Sequence, residues 1–213
     1  MLPNTCEPMR IPVSAAERTV RLNHPGLVVW FTGLSGAGKT TLSAELERAL
    51  FDQRRLVYLL DGDTLREGLC RDLGFSREDR RENVRRAGEV ARILADAGFI
   101  VLAALISPFR ADRDAIRAAM PAGRFVEVFV NAPLEACERR DVKGLYRKAR
   151  AHQIPEFTGI DSPYEAPSTP ELELRTDLMN IEDCVNRLCA VVDTHIRQAR
   201  STLRLVDPAR RAS

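Results

Sequence analysis

Apolar positions along the chain follow two alternating patterns. Leu27-Val-Val-Trp-Phe-Thr32, Leu56 to Leu60, Phe99 to Ile106 and Phe125 to Val130 are short, nearly unbroken apolar runs, which predicts buried strands; Leu172 to Thr176 reads as a last one. Between them apolar residues recur at helical spacing. Thr40 to Asp52 carries Leu42, Leu46, Ala49 and Leu50, and Glu78 to Ala97 carries Val84, Ala87, Val90, Ala91 and Leu94. Asp112 to Met120, Pro133 to Arg140 and Ile181 to Arg200 complete the predicted helices, with Pro133 in a first turn, where its missing N–H costs little. Strands this continuous in apolar character, alternating with helices, argue for an α/β fold: a parallel sheet with helices on both faces.

Three stretches lack such a pattern. Residues 1–25 hold Pro3, Pro8, Pro12 and Pro25 and read as an N-terminal arm. Residues 141–170 are basic, then rich in glycine and proline; a loop of that length suits a mobile lid over a site. Residues 201–213 read as a solvated tail, which leaves one domain over residues 26–200.

Composition narrows the class. The 213 residues carry a net charge of +2, too even a balance to point to nucleic acid or an anionic membrane surface. Phe99 to Ile106 is the longest apolar run, far short of the roughly 20 residues of a membrane span, and the N-terminus shows no secretory pattern. The five cysteines are odd in number and form no CxxC pair, and His24, His152 and His195 lie at no zinc spacing from them. A reduced, intracellular, cytoplasmic protein is expected.

Gly33-Leu-Ser-Gly-Ala-Gly-Lys39-Thr40 fits G-x-x-x-x-G-K-[ST] and lies between a predicted strand and a predicted helix. Glycines let backbone N–H groups close around a β-phosphate, and the helix N-terminus adds partial positive charge. Lys39 would reach the β/γ-phosphates and the Thr40 hydroxyl would ligate Mg²⁺. This is the Walker A phosphate cradle, and it predicts a P-loop NTPase-type sheet. The motif names a nucleoside triphosphate but not its use. No N-K-x-D guanine-reading motif is present, nor an apolar run ending in Asp-Glu, and the basic segment suits a small-molecule kinase, which must cover the phosphoryl group and exclude water.

Acceptor-side candidates lie at the carboxyl ends of the strands, where open α/β sheets bind ligands. Asp61-Gly62-Asp63 offers two carboxylates, for Mg²⁺ and for an acceptor hydroxyl, although Asp63 would equally serve as a helix N-cap. Arg80 and Asn83 are i,i+3 neighbours that can present a cation and an amide to one ligand, against the plainer reading of a solvated charged face. Ser107 ends the third strand; Arg110 and Arg113 beyond it either meet phosphate or solvate a helix. Lys143, Arg147, Lys148 and Arg150 cluster in the lid and suit an anionic substrate.

Together, WFTGLSGAGKTTLS, LDGDTLREGL, GFSREDRRENVRR, LISPFRADRD, DVKGLYRKAR and FTGIDSPYEAP resemble the adenylyl-sulfate kinase family, in family order from Trp30 to Pro167. The resemblance implies transfer of the ATP γ-phosphoryl group to the ribose 3′-hydroxyl of adenosine 5′-phosphosulfate. It implies that Gly33, Ser35, Gly36, Ala37, Gly38, Lys39, Thr40 and Thr41 hold the ATP phosphates, with Thr40 and Asp61 at the metal. Arg139 would face the ATP adenine, and Cys184 would line its pocket. Asp63, Arg66, Phe75, Arg80, Asn83, Ile106 and Ser107 would bind the adenylyl sulfate. Lys143, Leu145 and Phe157 would close on it from the lid, the two phenylalanines stacking its adenine. A homodimer is implied, with room for association with ATP sulfurylase. Thr64, Glu67 and Val142 depart from common family residues: Thr64 lacks an amide donor, and Glu67 brings a negative charge toward an anionic substrate.

The expected chemistry is direct in-line transfer, Lys39 neutralising phosphoryl charge and Asp63 orienting or deprotonating the acceptor. The resemblance also raises a phosphoserine intermediate at Ser107, for which the sequence offers no dedicated base. A kinase for another hydroxyl acceptor, such as a sugar acid, and a non-catalytic nucleotide-binding module are the rival readings. A sugar would need no aromatic stacking, and intact Lys39, Thr40, Asp63, Arg80 and Asn83 speak against decay.

Overall fold

The computed structural model describes residues 13–206, with side chains described through Ser201. Five strands, β1 (Leu27–Thr32), β2 (Val57–Asp61), β3 (Ile100–Ala104), β4 (Phe125–Asn131) and β5 (Leu172–Arg175), form one parallel sheet in the order β2-β3-β1-β4-β5. Strand β1 is central and buried at every residue, as its unbroken apolar run requires.

Alternate side chains of β1 feed two cores. Leu27, Val29 and Phe31 pack with α2 (Lys39–Asp52) and α8 (Ile181–Val206), through Leu42, Leu46, Leu188 and Val192. Val28 and Trp30 face α4 (Arg77–Asp96) and α5 (Arg110–Ala119), through Val84, Ala87, Ala91 and Ile116. Short helices α3 (Gly62–Glu67), α6 (Leu134–Arg140) and α7 (Leu145–Arg150) lie beyond the carboxyl ends of the strands. Trp30, fully buried, stacks near Phe125 at 6.2 Å and donates its indole N–H to Ser107 Oγ at 3.0 Å.

The elements read from the sequence are all present, with boundaries moved by a few residues. Four differences stand out. The arm contains α1 (Ala15–Leu22), started by a reciprocal capping box in which Ser14 and Glu17 satisfy each other's backbone N–H groups. Gly62 to Glu67 is helical, started by Asp61, whose Oδ1 accepts from Asp63 N–H at 2.9 Å; the N-cap is thus Asp61 and not Asp63. Residues 141–170 include α7, started by Asp141, whose carboxylate accepts from the Tyr146 and Arg147 amides at 3.0 and 3.1 Å. The last helix runs on through Val206, into the segment expected as tail. Residues 1–12 of the arm and 207–213 of the tail lie outside the described residues.

The chain enters edge strand β2 under two side-chain contacts. His24 Nε2 accepts from Leu56 N–H at 3.1 Å while its Nδ1 bonds Pro25 O at 3.1 Å, and Glu47 Oε1 accepts from Leu59 N–H at 3.0 Å. Among the described residues no helix is long and apolar enough to cross a membrane.

Candidate active site

The cradle follows directly from β1. Gly33 has φ +151°, and a Cβ there would stand 2.3 Å from the Val130 carbonyl oxygen, so the turn out of the strand requires glycine. Gly38, at φ +104°, is the left-handed N-cap of α2. The loop between them is held from outside. Tyr146 donates its hydroxyl to Ser35 O at 2.9 Å, Arg140 reaches Gly36 O at 3.2 Å, and the Thr176 hydroxyl donates to Ala37 O at 2.7 Å.

Lys39 is buried and donates to Gly33 O and Leu34 O at 2.9 and 2.8 Å. Burial, ahead of every other cause, lowers its ammonium to about 8; nearby Lys143 lowers it further, while Cys137, Asp61 and Asp63 oppose the shift. A negative charge at the cradle would offset the cost of that burial, and the two backbone contacts are ones the ammonium can exchange for phosphate oxygens. Thr40 Oγ1 donates to Asp61 Oδ2 at 3.0 Å, so the carboxylate that caps α3 also stands beside the cradle hydroxyl. Thr40 and Thr41 are exposed.

On the acceptor side, Asp63 is exposed and forms an ion pair with Lys143, which joins α3 to the start of the lid. The Arg66 guanidinium lies 4.4 Å from the Phe75 ring centroid and donates to Gly74 O at 2.9 Å; Phe75 itself is 55 % exposed. Buried Arg80 donates to Phe75 O (2.7 Å), Glu156 O (2.8 Å) and Thr158 Oγ1 (3.0 Å), which ties α4 to the lid. Asn83, three residues on, is also buried, and its Oδ1 has no hydrogen-bond partner among the described residues. The charged face of α4 is therefore not simply solvated: Arg80 and Asn83 point inward.

The other sequence-predicted positions lie in varied surroundings. Phe157 is buried in the core and meets Tyr146 edge-on at 5.1 Å, whereas the expected clamp has it opposite Phe75. Leu145 is half-buried against the same core, and Cys184 is buried within it at the start of α8, where burial pushes its thiol up. Arg139 is exposed, and its neighbour Arg140 meets the cradle, because adjacent residues on a helix diverge by about 100°. Arg113 meets neither phosphate nor solvent. It is buried, pairs with Glu127 at 2.6 Å, and donates to Ser107 O and Glu165 O. Arg110 donates to Ala166 O at 2.9 Å. Ile106 is half-buried, and its carbonyl accepts from the Thr32 hydroxyl at 2.8 Å. Ser107 is buried at φ +40°, its hydroxyl taken up by the Trp30 indole.

Tyr146, Arg140 and Thr176 were not found by motif reasoning. Their role depends on contacts across more than thirty residues of sequence, for which local pattern carries no signal. Among the described residues no cluster of three or more His, Cys, Asp and Glu side chains could by itself enclose a metal ion.

A parallel sheet whose central strand delivers a lysine-bearing anion cradle, with a carboxylate–lysine pair beside it, defines a nucleoside-triphosphate-dependent phosphotransferase. Comparison with known proteins specifies it further. The profile of the family described as adenylylsulphate kinase matches residues 25–175, and the chain belongs to that family. It is 55% identical over 178 residues to an adenylyl-sulfate kinase of Marinobacter nauticus, covering 84% of this chain and 89% of that one. It is 58% identical over 165 residues to that of Vibrio parahaemolyticus, covering 76% and 80%. Among solved structures, the Mycobacterium tuberculosis APS kinase in complex with AMPPNP and APS shares 47% identity at a TM-score of 0.75, covering 79% of this chain and 98% of that one. The chain is thus a kinase of adenylyl sulfate, and its chemistry is nucleotide-dependent.

Proposed function

We propose that this chain transfers the γ-phosphoryl group of ATP to the ribose 3′-hydroxyl of adenosine 5′-phosphosulfate, giving 3′-phosphoadenosine 5′-phosphosulfate and ADP in sulfate activation. One observation carries the assignment of roles: the Lys39 cradle and the Asp63–Lys143 pair stand together at the carboxyl edge of the sheet, joined by the Thr40–Asp61 hydrogen bond. The cradle amides from Ser35 to Thr41 and Lys39 hold the donor phosphates. Asp63 accepts the proton of the attacking hydroxyl, with Lys143 as its counter-ion until the substrate arrives. Positioning and electrostatics then supply most of the rate, as in phosphoryl transfer generally.

Thr40 Oγ1 and Asp61 Oδ2 are hard oxygen donors 3.0 Å apart, and this small set fits Mg²⁺, which keeps waters and takes its remaining ligands from phosphates. When bound, the ion supplies neutralisation of phosphate charge. Transfer is direct. The Ser107 hydroxyl is buried, and among the described residues its hydrogen-bond partners are the Trp30 indole N–H and Leu105 O, neither of them a base that would free it as a nucleophile.

The exposed face of Phe75 takes the acceptor adenine, and Arg66, Arg80 and Asn83 surround it; Asn83 Oδ1 is an acceptor that a ligand N–H or O–H would satisfy. Ile106 and Ser107 border this pocket. Residues 141–170 act as the lid, bringing Leu145 and Phe157 with Lys143. Arg140 braces the cradle on the donor side, Arg139 beside it faces the ATP adenine, and Cys184 lines that pocket. The same reading includes a homodimer, association with ATP sulfurylase and a cytoplasmic setting, the last in keeping with Cys70, Cys137, Cys184 and Cys189, all free thiols.

The test is a coupled ADP-release assay across hydroxyl acceptors. Adenylyl sulfate is expected to trigger ATP consumption while sugar acids and shikimate do not; comparable turnover with a sugar acid would overturn the acceptor assignment.

A further inference from the structure

The lid helix and the cradle share a contact that the roles above leave unused. The Tyr146 hydroxyl donates to Ser35 O at 2.9 Å, and its side chain is only 2 % exposed. Burial above all, then the neighbouring Cys137, Glu138 and Asp141, push the phenol well above its ordinary range, so it remains a protonated donor. Its backbone is fixed too, since Asp141 accepts from the Tyr146 N–H.

A peptide unit is planar and trans, so the N–H of one residue points opposite to the carbonyl of the residue before it. Holding the Ser35 carbonyl outward therefore turns the Gly36 N–H toward the interior of the loop, where an anion sits. Arg140 and Thr176 do the same for the next two carbonyls, but from α6 and from the turn after β5. Tyr146 reaches the loop from the lid helix, and its ring meets Phe157 edge-on at 5.1 Å, the residue expected at the acceptor adenine.

We propose that Tyr146 is a positioning residue for the nucleotide phosphates: through its hydroxyl it sets the Ser35–Gly36 peptide, and so makes closure of residues 141–170 part of donor binding. This rests on the reading of the Lys39 loop as the ATP site. It adds a residue to which motif and family resemblance gave no role.

Titration calorimetry of the full chain with Mg·ADP, in the absence of acceptor, tests it. Y146F removes one oxygen and keeps the ring. It is expected to weaken ADP binding about fivefold, the scale of one neutral hydrogen bond, and to raise the KM for ATP in step. kcat at saturating ATP and the KM for adenylyl sulfate should stay within about twofold, as the hydroxyl meets neither reacting atom. An unchanged ADP affinity, with or without a lower melting temperature, would overturn the proposal. E138Q keeps the hydroxyl and weakens the Glu138–Arg150 pair that ties the lid helix to α6, and remains informative should Y146F fold poorly. Its ADP affinity should match the parent, and a loss like that of Y146F would also overturn the proposal by tracing the effect to general lid packing. Because the titration needs no acceptor, it separates from the acceptor assay: the parent chain could fail to phosphorylate adenylyl sulfate while Tyr146 still set ADP affinity, and the reverse.

Discussion

The donor and acceptor sides of this site are built by opposite means. The donor cradle is backbone: eight consecutive residues, from Gly33 to Thr40, between the buried central strand and α2, with a buried lysine already hydrogen-bonded in place. The acceptor side is side chain, assembled from α3, α4 and the lid. Its parts include an exposed ion pair, an exposed phenylalanine beneath an arginine, and a buried amide oxygen without a partner among the described residues. The cradle is thus largely preformed, whereas the acceptor pocket has contacts to exchange before substrate fits. Affinity for ADP should be robust to changes on α3 and α4, and discrimination among acceptors should be sensitive to them.

The most damaging test of this contrast is Lys39→Ala. Removing the cation fixed inside the cradle should lower kcat/KM about 10³-fold, measured by ADP release, with a marked loss of ADP affinity. Asp63→Asn should lower kcat about 10²-fold while ADP binding stays within about twofold by calorimetry; near-parent turnover would remove Asp63 from the proton transfer. Asn83→Ala should raise the KM for adenylyl sulfate about tenfold with little change in melting temperature, because the amide oxygen it deletes has no partner to lose among the described residues. Ser107→Ala should leave turnover per folded molecule within about twofold yet cost about 1–3 kcal/mol of stability, because the buried Trp30 indole N–H loses its acceptor. Loss of turnover with an intact fold would instead reinstate a covalent intermediate.

What the sequence made legible follows the same division. The inner strands β1, β3 and β4 were readable because strands buried on both faces leave nearly unbroken apolar runs, and the cradle because its chemistry is confined to consecutive residues. The capping box of α1 was also local, Ser14 three residues before Glu17, but it is masked by the prolines around it. Helices α3 and α7 are too short for periodicity to declare them. Arg113 illustrates the deeper limit. An arginine in a charged helical stretch reads as solvent-facing, and only the fold reveals Glu127 on β4 waiting to pair with it in the interior. Arg140 was not legible for a similar reason: which neighbour of a motif turns inward is decided by packing across the chain.

One contact at the far end of the sheet carries a consequence for how the molecule tolerates acid. His24 closes the seam where β2 begins, and it can do so only uncharged, one ring nitrogen donating to Pro25 O and the other accepting from Leu56 N–H. Burial foremost, then the cations Arg55 and Arg200, lower its folded pKa beneath the ordinary imidazole value of 6.5, with the Pro25 contact opposing. The unfolded chain therefore takes up the proton first. Stability is whole above about pH 6.5 and drains away as the pH falls toward the folded value, a slope that thermal melts of the parent and of His24→Leu would expose by its presence in one and its absence in the other.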